Sequence, residues 1–188
     1  DYSEDKVEDT EKTRFGSSIN ISGDGSLLAV KGYSSDTANN MYHVSLYENK
    51  ISPAQTQDGN TGDLKGTANG HRFGESVAMT ADGSFVAIGA LGVANNKGQV
   101  TFYTRNSDNT LTLVETKNGT VGGDWFGYSI VMSVDGSFVA ISATGFDGKG
   151  QVTFYTRNSD NTLSQVGDPV DGTVGYIWFG YSIAMTAD

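Results

Sequence analysis

The chain contains no cysteine, only two prolines and only two histidines among its 188 residues. The lack of cysteine excludes disulfide bonds, thiolate catalysis and cysteine-ligated metals. Basic residues are also few, 12 against 22 acidic ones, and a net charge of −10 disfavours a nucleic-acid partner because such a surface repels phosphate. No apolar run approaches the roughly 18 residues that a membrane-spanning helix needs, so we expect no direct membrane insertion.

Glycine, by contrast, is abundant, with 25 residues, and one pattern recurs. It reads Phe-Gly-x-Ser, then an apolar run, then Asp-Gly, and its copies begin at Phe15, Phe73, Phe126 and Phe179, spaced by 58, 53 and 53 residues. A repeat of about 50 residues made of short strands is typical of a β-propeller blade. Helical periodicity is absent, so the sequence predicts an all-β fold.

The third copy shows the predicted blade most clearly. Its first strand is expected at residues 128–133 and its second at 138–143, with Asp135-Gly136 between them in a type I′ turn. The third strand follows at 151–157 and the fourth begins at Leu163. The first two strands are apolar throughout, so we expect neighbouring blades to cover both of their faces.

The repeat divides the chain into about 3.5 blades of four antiparallel strands. The predicted units are an acidic segment or tail of a preceding blade at 1–13, blades at 14–71, 72–124 and 125–177, and an incomplete blade at 178–188. A closed propeller typically has four to eight blades, so we expect a segment of a larger propeller of about seven blades. The alternative is that two half-propellers pair into one ring.

The repeats resemble FG-GAP repeats, the blades of the integrin alpha-subunit head, and are most similar to the bacterial and algal form. The match is best at residues 73–90, and the stretch 163–172 resembles the longer linking segment of that form. Calcium-binding members carry several carboxylates between the first two strands. Here each hairpin has one, Asp24, Asp82 or Asp135, so we expect neither calcium nor another cofactor.

The links between strands 2 and 3, and between strand 4 and the next blade, differ most among the copies, and together they define the top face. Loops that vary on a common scaffold usually carry the residues that bind ligands or partners. The candidate ligand-binding residues on this face are His71, Arg72, Asp124, Trp125, Phe146, Asp147, Tyr176 and Trp178. The alternative for the tryptophans is that they only pack over the next blade. Asn118 begins an Asn-Gly-Thr sequon and is a possible glycosylation site.

No catalytic set is evident. His43 replaces a strand glutamine, His71 has no nucleophile beside it, and Glu75 is the only carboxylate of the inner strands. We therefore expect a non-catalytic interaction module, not an enzyme, that binds a protein or glycan in extracellular or cell-surface adhesion or assembly. The alternatives are a structural subunit that packs laterally in a larger complex, and a hydrolase whose site lies in other blades.

Overall fold

The computed structural model describes residues 14–35, 40–48, 60–65, 70–107 and 110–186. Within them thirteen strands form three antiparallel sheets. The all-β propeller-like fold is thereby confirmed, with each sheet as one blade. The predicted acidic segment at 1–13 lies outside the described residues.

The three blades follow one another along the chain. Blade 1 contains β1 (Arg14–Ile21), β2 (Leu27–Ser35), β3 (Asn40–Glu48) and β4 (Asn60–Lys65). Blade 2 contains β5 (Phe73–Met79), β6 (Phe85–Ala90), β7 (Gln99–Arg105) and β8 (Leu111–Asn118). Blade 3 contains β9 (Phe126–Met132), β10 (Phe138–Ala143), β11 (Gln151–Arg157), β12 (Leu163–Gln165) and β13 (Val170–Asp171). The helical segments α1 (Val93–Asn96) and a 3₁₀ turn (Phe146–Gly148) lie in the links after β6 and β10.

The fourth strand of blade 3 is broken, unlike its counterpart in blade 2. Both β12 and β13 pair with β11, and residues 166–169 separate them. This stretch includes Gly167, with a φ of 65°, and Pro169, which has no N–H to give to a ladder. The sequence Gly-Asp-Pro therefore interrupts the strand that β8 forms continuously.

Hydrophobic cores lie between the blades. In β6, Phe85 and Ala87 face the core shared with blade 3, whereas Val86 and Ile88 face the core shared with blade 1. Every residue of β6 is buried, which confirms the expectation that neighbouring blades cover both faces of the second strand. The first strands are less buried than we expected, and Ile19 and Ile21 of β1 are exposed. No described sheet packs on that face of blade 1.

The Asp-Gly hairpins are not the predicted type I′ turns. In blade 3 the Gly136 N–H donates to the Ser133 carbonyl, and only Gly136, with a φ of 70°, is left-handed. A type I′ turn needs positive φ at both central residues, and Asp135 does not have it. Its carboxylate instead accepts hydrogen bonds from the Ser133 hydroxyl and the Ser137 N–H. The aspartate is thus a turn-closing residue.

The Phe-Gly pair marks the contact between consecutive blades. The Phe126 N–H donates to the carbonyl of Lys97, in the link of the preceding blade, at 2.9 Å. Gly127 is left-handed, with a φ of 89°, and a side chain there would meet Val100 of β7 at 2.7 Å. Gly98, with a φ of 80°, lies so close that an added Cβ would overlap the Phe126 backbone. Glycine is therefore required on both sides of this junction.

Side chains of blade 2 cover the outer edge of blade 3. The Leu163 N–H donates to the Glu115 carboxylate, and Lys117 Nζ donates to the Leu163 carbonyl at 2.9 Å. Glu115 and Lys117 are themselves paired at 2.8 Å. They satisfy backbone groups that an edge strand leaves open.

Substituting Gly98 by alanine should destabilise the blade junction. We expect a loss of about 3 kcal/mol in the free energy of unfolding, from left-handed strain plus steric overlap. Gly148 is the matched control, since its φ is 65° but no atom lies near an added Cβ. Gly148→Ala should cost only about 1 kcal/mol, the strain alone. Urea denaturation measures both, and equal losses would show that the junction is not close-packed.

The hairpin aspartates should make stability pH-dependent. The Ser84 N–H and the Thr80 hydroxyl lower the pKa of Asp82 to about 2, against about 3.9 in the unfolded chain. This stabilisation is present above about pH 4 and is lost as the pH falls through about 2. Asp82→Asn should therefore lower the free energy of unfolding at neutral pH and reduce its decline in acid.

The control for that experiment is Asp168→Asn, which changes an exposed aspartate of the link after β12. Denaturant unfolding at several pH values compares the two variants with the wild type. An acid decline that is the same in Asp82→Asn and in the wild type would contradict the role of the carboxylate.

Candidate functional site

In the second, third and fourth copies of the repeat, the residue before the Phe-Gly pair has a left-handed backbone. Arg72, Trp125 and Trp178 have φ values of 51°, 53° and 49°. The Trp125 N–H donates to the Asn96 carbonyl of the preceding blade at 3.0 Å, so the junction fixes this conformation. Left-handed φ is uncommon for bulky residues, yet two of these positions carry tryptophan.

Four aromatic side chains meet on the top face and form what we call the aromatic cluster: Trp125, Tyr128, Trp178 and Tyr181. The two tryptophan rings meet edge to face, with centroids 6.5 Å apart. Trp178 stacks on Tyr181 at 6.0 Å, and Tyr181 contacts Tyr128 at 5.0 Å. The rings thus form one continuous surface built from equivalent positions of two repeats.

The aromatic cluster is partly open to solvent. Trp178 is 49% and Tyr181 55% exposed, whereas Trp125 and Tyr128 are half-buried. Burial, together with the contact with Tyr181 and the charge of Glu75, raises the pKa of Tyr128 to about 12. The Tyr128 phenol is therefore neutral at physiological pH and able to donate and accept hydrogen bonds.

Blade 2 places charged residues where blade 3 has aromatic ones. Arg72 and Glu75 occupy the positions of Trp125 and Tyr128. Glu75 pairs with the buried Lys31 of blade 1 at 2.8 Å, and Lys31 Nζ lies 5.1 Å from the Tyr42 ring centroid. The inner carboxylate noted in the sequence is thus held in an ion pair between blades.

Asp124 lies inside its own loop. It is 4% exposed, and its carboxylate accepts hydrogen bonds from the Thr120 N–H and hydroxyl and from the Val121 N–H at 2.7 Å. The Asp124 carbonyl also accepts the Gly145 N–H. The side chain therefore shapes the link before Trp125, and a direct role in ligand binding stays a prediction.

The other predicted residues are spread over the top face. Tyr176 is 94% exposed, and Asp147 is paired with Lys149 at 3.0 Å. Phe146 packs against the core between blades 2 and 3. The carbonyl of the half-buried His71 accepts the Gly92 N–H. None of these four residues is part of the aromatic cluster.

Asn118, the possible glycosylation site, is the last residue of β8. Its side chain is exposed, and its Oδ1 accepts a hydrogen bond from Gln99 Nε2 at 2.9 Å. Glycosylation at this residue stays a prediction.

A second feature of the top face is a cavity of about 400 Å³ between blades 2 and 3, which we call the interblade cleft. Blade 2 and the following link line one side, and β10, β11 and the broken fourth strand line the other. The lining residues are Asn118, Gly119, Thr120, Asp124, Phe126, Ala143, Phe146, Gln151, Thr153, Tyr155, Gln165 and Pro169.

Sequence reasoning missed Tyr128 and Tyr181. The available signal was the variable position of Phe-Gly-x-Ser, which is tyrosine in the third and fourth copies only. It also missed Thr153 and Tyr155, because the same strand sequence occurs in blade 2 and does not distinguish these two residues.

The part of the chain that the structure describes contains no cluster of metal-ligating side chains and no helix that could span a membrane. No three histidine, aspartate or glutamate side chains there come together in a group that could hold a metal ion. Nor does any helix in those residues have the length and apolarity to cross a bilayer.

No family model and no curated protein matches the sequence, so the FG-GAP resemblance stays a prediction. Similar folds do occur among solved structures. Prolyl oligopeptidase B from Galerina marginata, bound to a 35mer substrate, is 13% identical with a TM-score of 0.55, over 84% of this chain and 24% of that one. A periplasmic gluconolactonase from Pseudomonas aeruginosa is 17% identical with a TM-score of 0.42, over 84% and 42%.

The likeness to the prolyl oligopeptidase supports a β-propeller fold and corrects one prediction. The chain spans about a quarter of the length of the prolyl oligopeptidase, and at this identity the likeness shows the fold alone. Our expectation that the chain is not an enzyme is contradicted, because a protein with this fold is a prolyl oligopeptidase and the fold therefore does not exclude enzymatic activity.

Proposed function

We propose that this propeller segment binds a protein or glycan through its top face, with the aromatic cluster as the main contact. The observation that carries the proposal is the repeated placement of Trp125 and Trp178 on left-handed backbone. A left-handed conformation costs a non-glycine residue about 1–2 kcal/mol. Glycine would avoid that cost, so the retained side chains are best explained by what their rings contact.

The composition of the aromatic cluster suits recognition. Tryptophan and tyrosine present large, rigid surfaces with a polar group at one edge, and they dominate the energies of interfaces. Tyr176 and Tyr181 are more than half exposed, and Trp178 is 49% exposed. In blade 2, Arg72 lies at the position equivalent to Trp125. Recognition by this face is independent of whether the protein is an enzyme.

The setting is part of the same proposal. The resemblance of the repeats to FG-GAP blades supports an exported or cell-surface protein that acts in adhesion or assembly. A subunit that packs laterally would use outer strands such as residues 101–105, but β8 covers the edge of that strand, and Thr101 and Phe102 are buried. The top links are therefore the better candidate for an interaction surface.

The tryptophans provide a direct assay, since the chain has only two and both belong to the aromatic cluster. Glycan and peptide arrays probed with the labelled chain identify a ligand, and titration of that ligand should change the tryptophan emission. Trp178→Ala should weaken binding about 30-fold, corresponding to the loss of about 2 kcal/mol that is typical of a central aromatic contact.

The matched control is Phe138→Ser, which removes a half-exposed aromatic ring at the opposite end of blade 3, beside the Asp135 turn. This variant should bind like the wild type, and circular dichroism should show both variants folded. The proposal fails if neither array yields a ligand, if Trp178→Ala binds with unchanged affinity, or if Phe138→Ser loses as much.

A further inference from the structure

We infer that the interblade cleft binds a neutral polyhydroxy ligand, namely a saccharide unit. This inference rests on the glycan form of the proposed function, but it concerns residues outside the aromatic cluster. The interblade cleft has a volume of about 400 Å³, which lies within the range of small-molecule sites, about 300–1,000 Å³.

Two hydroxyl side chains line the interblade cleft, those of Thr153 and Tyr155. The residues are 5% and 8% exposed. Among the residues that the structure describes, neither side-chain hydroxyl has a hydrogen-bond partner. Neither belongs to the fully buried polar atoms without a partner, which in those residues are represented by Thr144 Oγ1, so both hydroxyls reach the open cavity and are available to a ligand that enters the cleft.

Two amide side chains add one donor and one acceptor. Asn118 uses its Oδ1 to accept from Gln99, which leaves its Nδ2 group as a donor. Gln151 donates its Nε2 to Asp171 at 2.7 Å, which leaves its Oε1 as an acceptor. Because sugar hydroxyls both donate and accept, they match such a mixed set, whereas a purely anionic or cationic ligand does not.

The walls of the interblade cleft favour a neutral ligand with apolar faces. The rings of Phe126, Phe146 and Pro169 line it, and they offer surfaces for the C–H faces of a sugar. Asp124 is the only charged residue of the lining, and the three hydrogen bonds from its own loop all end on its Oδ2. Its Oδ1 is left as a further acceptor for a sugar hydroxyl.

The broken fourth strand of blade 3 forms part of the interblade cleft. Gln165 and Pro169 line it from the two sides of the interruption at 166–169. In blade 2 the identical strand sequence at 98–105 faces a different neighbour. The cleft thus depends on a feature of blade 3 that the repeat pattern alone does not contain.

The test is a titration of the ¹⁵N-labelled chain with the methyl glycosides of glucose, galactose and mannose and with N-acetylglucosamine, followed by NMR. At least one probe should shift the amide signals of Gly119, Thr120 and Thr153. Thr153→Val and Tyr155→Phe each keep the shape of the side chain and remove a hydroxyl, so each should weaken binding about fivefold, as expected for one neutral hydrogen bond.

Blade 2 supplies matched controls, because Thr101→Val and Tyr103→Phe make the same changes in its identical strand. These two variants should leave the dissociation constant unchanged. The inference is overturned if no probe shifts the signals, if the controls weaken binding as much as the cleft variants, or if both cleft variants bind normally.

A further variant separates this inference from the proposed function. Trp178→Ala should leave sugar binding in the interblade cleft unchanged. If it abolishes the shifts while Thr153→Val does not, the sugar binds the aromatic cluster, which supports the proposed function and overturns the cleft site. If only the cleft variants lose binding, the inference holds whatever the array experiments give.

Discussion

The close contact of the Phe-Gly pair with the preceding blade is the constraint on which the rest of the structure depends. Gly127 lies over Val100, and Gly74 and Gly180 approach the equivalent valines, Val44 and Val152. No side chain fits between these backbones, so consecutive blades are held at one separation. This separation lets the buried faces of β6 and β10 meet in shared cores, and it turns the preceding residue, such as Trp125, onto the top face.

The bottom and top ends of the blades are held together by different contacts. At the bottom, each aspartate satisfies its own hairpin, and the backbone continues the contact from blade to blade, as when the Ala81 N–H donates to the Val134 carbonyl at 2.8 Å. Such a turn tolerates little change. At the top, backbone atoms of the links make the junction, for example at Lys97 and Lys149. Their side chains are free to vary, which supports the proposal that recognition occurs at this end.

The sequence predicted the repeat, the second and third strands of each complete blade and the variable top face, because Phe-Gly, Asp-Gly and apolar runs are local signals. It did not predict the turn type, because both turn types place glycine at the same point and differ only in the φ of Asp135. The meeting of Tyr128 with Tyr181, 53 residues apart, depends on the rotation between blades. The interblade cleft likewise depends on packing across a junction, which strand periodicity does not contain.

The aromatic cluster and the interblade cleft share a chemical character that narrows the choice of ligand. The lysines near them are engaged, Lys31 with Glu75, Lys117 with Glu115 and Lys149 with Asp147. Apart from Arg72 near Tyr128 and the carboxylate of Asp124, what is left for a ligand in the described part of both sites is rings, phenols, hydroxyls and amides. Binding would then come from stacking and neutral hydrogen bonds, which salt screens far less than exposed charge pairs. On an acidic surface that repels anions, such a combination favours neutral glycans over charged partners.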